Sequence, residues 1–74
     1  MTFPNEKIVE KIRQEYPVGT RVELVSMNDP YTKIPEGTKG TVRGVDDTGT
    51  IFVNWDNGSG LGVVYGEDSC KKIS

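Results

Sequence analysis

The side chains that ordinarily do chemistry are few in this chain of 74 residues, and histidine is missing altogether. Its absence removes Ser-His-Asp and Cys-His nucleophilic catalysis, histidine metal ligation and the usual switch near neutral pH. Cys70 is the single thiol. With no histidine to act as its base, it reads as a small buried hydrophobe. Oxygen ligands are more numerous, in Asp46, Asp47, Asp56, Glu67 and Asp68. Asp46-Asp47-Thr48-Gly49 lacks the alternating ligands and distal glutamate of a calcium loop, and no Gly-x-x-x-x-Gly-Lys-Ser/Thr phosphate loop is present. Adjacent aspartates on a strand point to opposite faces, and in a turn they serve the backbone. The expectation is a protein with no catalytic residue, no metal and no cofactor.

Binding chemistry is better represented. Tyr31, Phe52, Trp55 and Tyr65 form the aromatic set that can line a groove for an extended or proline-rich peptide, or for a cationic or stacking ligand. Tyr31, Trp55 and Tyr65 are therefore the candidate peptide-binding residues, with Asp29 and Asp56 as polar rim. In so small a domain Trp55 competes for a place in the core. The alternative ligand is nucleic acid, with Arg21, Lys33, Lys39 and Arg43 on phosphate and an aromatic ring against a base. Charge does not favour it: net charge is −2, and residues 46–74 carry five acids against Lys71 and Lys72. A protein that neutralises several phosphates is expected to show a basic face.

The elements that must hold these residues follow from composition and spacing. Val occurs nine times and Ile five times against two Leu and no Ala, which favours pleated sheet over helix. One amphipathic helix is expected between Thr2 and Tyr16, where Ile8, Val9, Ile12 and Tyr16 recur at helical spacing. Thr2 or Asn5 caps it, Pro4 suits its first turn and Pro17 ends it. From Gly19 onward, glycines punctuate five short β-type runs at Arg21–Met27, Lys39–Val45, Thr50–Trp55, Leu61–Tyr65 and Cys70–Ile73. Val25 and Val64 break strict alternation, which calls for a bulge or for cover on both faces. Residues 28–37 form the longest loop, stiffened by Pro30 and Pro35, and loops on rigid scaffolds are where binding residues concentrate.

Five short strands in a meander, with a long loop after the first and a turn before the last, form the pattern of a small SH3-like five-stranded barrel. The fold class is thus mainly β with one N-terminal amphipathic helix, residues 1–17 packing on a barrel of residues 18–74. The expected core is Val22, Leu24, Val42, Val45, Ile51, Val53, Leu61, Val63 and Ile73, sealed by Ile8, Ile12 and Tyr16. A domain of this size buries only about 60% of the surface its unfolded chain exposes. Its core is thin, and a cleft between loops or a flat face is a more realistic site than an enclosed pocket. A lone cysteine admits no internal disulfide, no apolar run reaches the roughly 18 residues of a membrane span and no apolar leader is seen, so the expected setting is cytoplasmic.

Tyr16-Pro17-x-Gly19-Thr20-x-Val22, Asp29-Pro30-Tyr31, Pro35-x-Gly37-Thr38-x-Gly40-x-Val42, Asp46-Asp47-x-Gly49 and Trp55-Asp56-Asn57-Gly58 follow one another in order. This series resembles a family of small uncharacterised bacterial, archaeal and phage domains of unknown function. The resemblance runs from about Tyr16 to Ile73 and implies an SH3-like barrel, often encoded on phage or other mobile elements, with no assigned activity. The Gly-x-x-Gly-x-Val and Trp-Asp-Asn-Gly elements are similar, more weakly, to mind-bomb type and KOW or Tudor-like barrels. Those modules bind peptides, methylated tails or RNA, but the shared residues are turn and strand formers and report fold. The expectation is a non-enzymatic binding module for a protein or peptide, away from membranes, monomeric or weakly dimeric through an unpaired edge.

Overall fold

Asn5 decides where the helix begins. Its Oδ1 accepts the Ile8 amide at 2.9 Å, and helix α1 runs Glu6–Glu15 until Pro17 forces Tyr16 out of helical geometry. The computed structural model describes residues 5–28 and 34–73. After α1 come β1 (Arg21–Ser26), β2 (Lys39–Val45), β3 (Ile51–Trp55), β4 (Gly62–Val63) and β5 (Ser69–Lys72). They form one antiparallel sheet in the order β4-β3-β2-β1-β5. The five expected strands are present, but the sheet is open: β4 and β5 lie at its two edges and do not pair with each other. No helix among the described residues is long and apolar enough to cross a membrane.

The Pro-x-Gly-Thr sequence occurs twice because the same turn starts two adjacent strands. In each copy the threonine donates both its amide and its hydroxyl to the proline carbonyl, from Thr20 to Pro17 and from Thr38 to Pro35. The glycines stand at φ 96° and 88°, a region that L side chains avoid. Gly19 N–H then donates to Val42 and Gly37 N–H to Leu24, each at 2.8 Å. The two turns thereby fix the β1–β2 pairing from both ends.

Bulges account for the broken alternation. Register against β5 shifts between Leu24 and Ser26, which leaves Val25 exposed, and register against β3 shifts between Val42 and Gly44, at Arg43. β4 is shorter than the expected Leu61–Tyr65 because side chains capture its flanks. The Leu61 carbonyl accepts the Trp55 indole Nε1–H at 2.8 Å, and the Val64 amide donates to Asp68 Oδ2 at 2.9 Å. With its hydrogen-bonding groups committed elsewhere, the chain cannot extend the ladder at these positions.

Val22, Leu24, Val42, Ile51, Val53 and Val63 are buried as expected. Leu61 and Ile73 are not, being 40% and 41% exposed, and Val45 packs at the core's margin. Trp55 and Ile34 take their places inside. On the helix, Val9 is the buried residue, while Ile12 and Tyr16 pack half-buried against the core and Ile8 is intermediate. Gly40 lies beneath the indole: a Cβ there would stand 2.5 Å from Val53 Cγ1 and 2.9 Å from Trp55 Cε3.

Candidate functional site

Two chain reversals create an apolar groove beside α1. At the first, Pro17 stops α1 with Tyr16 folded back against the core and Lys72 Nζ 5.9 Å from its ring centroid. At the second, the Val64 carbonyl accepts the amides of Glu67 and Asp68, at 3.1 and 2.9 Å, and throws Tyr65 outward to 48% exposure. Asp68 holds this turn in place. Its two carboxylate oxygens accept the amides of Asn28, at 2.7 Å, and of Val64, tying the turn to the end of β1.

Between α1 and this turn lies a groove of about 280 Å³ lined by Ile12, Tyr16, Ile51, Val63, Tyr65 and Cys70, with Asp68 also on its wall. It falls below the roughly 300 Å³ from which small-molecule pockets begin, so it suits one large apolar side chain better than a cofactor. Burial pushes the Cys70 thiol up to about 11, which keeps it neutral at physiological pH. Burial also raises the Tyr16 hydroxyl, and at the alkaline pH where it titrates the Cys70 thiolate and the Glu15 carboxylate add to the effect. The lining is thus uncharged except for Asp68, and no acid and base face each other across it.

Trp55 does not join the expected aromatic strip. Trp55 is 3% exposed, its ring packed in the core and its Nε1–H bonded to Leu61, so it offers no face to a peptide. Asp56 serves Arg21, which donates to both of its carboxylate oxygens at 2.9 and 2.6 Å and to Thr41 Oγ1 at 2.9 Å. These hydrogen bonds hold the Asp56 carboxyl below its ordinary range and raise the Arg21 guanidinium. Tyr31 and Asp29 lie outside the described residues, as does Lys33. Among the described residues, Tyr65 alone of the expected peptide-binding set borders the groove.

The basic candidates share the other surface of the sheet. Register places Arg21 opposite Thr41 and Thr41 opposite Asn54, with Lys39 opposite Glu23. Arg43 sits with Cζ 5.1 Å from the Phe52 ring centroid. Arg21 is neutralised by Asp56, and Lys71 approaches Glu23 at 3.5 Å, which leaves Lys39 and Arg43 as cations without a carboxylate partner on this face, among the described residues. No group of three or more His, Cys, Asp or Glu among the described residues is placed to hold a metal ion. Asp46 is a turn residue: its Oδ1 accepts the amides of Thr48 and Thr50 and the Thr48 hydroxyl.

The groove was not visible in the sequence because its lining comes from α1, β3, β4 and β5 together. Ile12 and Tyr16 read only as a seal over the core. Tyr16 carried the one available signal, as the last apolar residue of the helical stripe directly before Pro17.

Residues 5–73 match the model of a family described as Domain of unknown function (DUF4314). No curated protein and no solved structure matches the chain.

Proposed function

We propose that this chain, which belongs to the DUF4314 family of domains of unknown function, is a non-enzymatic binding module whose groove receives an apolar side chain of a protein or peptide partner. The observation that carries this reading is Tyr65, half exposed at the lip of an apolar groove. An aromatic ring in that position gains most from being covered, and such residues dominate interface energies. The aromatic pair used is Tyr16 and Tyr65, in place of a strip built on Trp55. The strand order β4-β3-β2-β1-β5, with the last strand returning to the first, supports reading the sheet as a curled SH3-like barrel. Short β4 and lysine-bearing β5 blunt the two edges and support a monomer. A cytoplasmic setting, read from the lone cysteine and the lack of a long apolar run, and a phage or mobile-element origin, read from the resemblance, belong to the same reading.

Affinity capture with the full chain tests it. Partners recovered by the wild type are expected to be lost with Tyr65→Ala and kept with Val18→Ser, which alters an exposed residue outside the groove. Equal recovery by Tyr65→Ala overturns the reading.

A second reading is favoured by Arg43, Lys39 and Phe52 on the outer surface of the sheet, which can engage single-stranded nucleic acid. Titration with labelled DNA and RNA near 50 mM salt decides it, since phosphate contacts are strongest at low salt.

A further inference from the structure

The groove lies in the seam of the open sheet. Val63 of β4 lines one side and Cys70 of β5 the other, with Ile12 and Tyr16 contributed by α1. Among the described residues β5 pairs only with β1, so one of its edges is free. Register decides which of its backbone groups face that edge. The Ile73 amide donates to the Arg21 carbonyl at 3.0 Å, and Lys71 stands opposite Glu23. Hydrogen-bonded pairs alternate along an antiparallel ladder, so Lys71 and Ile73 turn their amides and carbonyls to β1, whereas Cys70 and Lys72 turn theirs outward. Those outward groups are what a further strand would use. Directly opposed residues share a face, and Cys70 and Lys72 stand opposite the buried Leu24 and Val22. Their side chains therefore lie on the groove side, Cys70 in its lining and Lys72 against the Tyr16 ring. Lys72 has no carboxylate partner among the described residues, since Glu23 pairs with Lys71 and Asp68 spends both oxygens on backbone amides.

We infer that the occupant is an extended segment of a partner protein that adds to the free edge of β5, with a large apolar residue opposite Cys70 and an acidic residue opposite Lys72. This inference rests on the groove being the binding site. The residue opposite Cys70 shares its face and enters the space between Ile12, Tyr16, Val63 and Tyr65. Two positions away, on the same face, the carboxylate meets the Lys72 ammonium. Main-chain hydrogen bonds to Cys70 and Lys72 supply register, and the two side chains supply selection. A second copy of β5 is a poor occupant, because pairing Ser69–Lys72 with itself brings lysines together.

Panning a random dodecapeptide phage library against the full chain supplies the probe. Enriched sequences are expected to carry Asp or Glu two positions from a large apolar residue, and a synthetic peptide from that set is expected to bind more weakly as salt rises. The bound peptide is expected to slow hydrogen exchange at the Cys70 and Lys72 amides, which have no ladder partner in the free chain among the described residues. Lys72→Gln, at an exposed position, is expected to weaken binding by up to about fivefold, the range of an exposed ion pair. Peptides that need Tyr65 but leave exchange at Cys70 and Lys72 unchanged, or that need Tyr65 but bind Lys72→Gln equally well, overturn the inference and leave the groove standing. Peptides that bind Tyr65→Ala as well as the wild type, or a library that yields no enriched sequence, overturn both.

Discussion

Three residues show how closely side-chain chemistry is tied to backbone here. Gly40 is required by its neighbours, since Val53, Trp55 and the Asn54 carbonyl occupy the space a methyl group needs. Gly40→Ala is expected to cost about 1–3 kcal/mol, the usual range for overpacking, read as a lower denaturant midpoint. Asp46 behaves as backbone made from side chain. Partial burial disfavours its charge, but hydrogen bonds from Thr48 and Thr50 and the proximity of Arg13 prevail and hold its carboxyl below the ordinary value near 3.8. The folded state therefore binds that proton less readily than the unfolded chain. Its contribution is fully present above pH 3.8 and declines as pH falls through the lower folded value. NMR titration is expected to place the Asp46 midpoint below that of an exposed aspartate. A midpoint at or above 3.8 would show that the turn does not favour the charged form.

At the scale of elements, what ends a strand matters as much as what starts it. The paired Pro-x-Gly-Thr turns launch β1 and β2 with the same set of four hydrogen bonds each, two within the turn and two exchanged with one residue of the partner strand, Val42 or Leu24. By contrast β4 is cut to two residues by the Trp55 indole on one side and Asp68 on the other. Asp68→Ala strands the amides of Val64 and Asn28 and is expected to cost about 1–3 kcal/mol. Hydrogen exchange at those two amides is expected to accelerate more than exchange in β2, because the loss is local before it is global. Uniform acceleration would mean that the turn has no separate stability. Helix α1 is held by the burial of Val9 and by Arg13, whose guanidinium reaches the Val45 carbonyl and pairs with Asp47 at 2.7 Å. Asp47 is almost fully exposed, so Val9 anchors the helix more than this ion pair does.

For the whole molecule, the governing fact is a small core. Leu24, Val22, Val42 and Val53 are its fully buried side chains among the described residues. Leu24→Ala is expected to cost about 2–5 kcal/mol, a large part of the total stability of a domain this size, whereas Leu61→Ala should change it by less than about 1 kcal/mol. Thermal unfolding of the two variants checks the contrast, and equal losses would mean that Leu61 is core. Strand positions, the helix and its stop at Pro17 were legible in the sequence because they depend on local chemistry: β-branched alternation, glycine at turns, Asn5 as cap. So were most core valines, since alternation assigns a face without reference to any other strand. Sequence could not decide which aromatic ring the fold leaves exposed. Trp55 is buried because Gly40, fifteen positions earlier, leaves room for its ring, and its indole takes the Leu61 carbonyl while the Leu61 side chain stays exposed. The groove exists only where α1 meets the turn that Asp68 holds, a junction between residues more than fifty positions apart. The sequence by itself determined the elements and their polarity; the tertiary structure decided which aromatic ring is buried and which is offered, because burial depends on what the rest of the chain leaves unfilled.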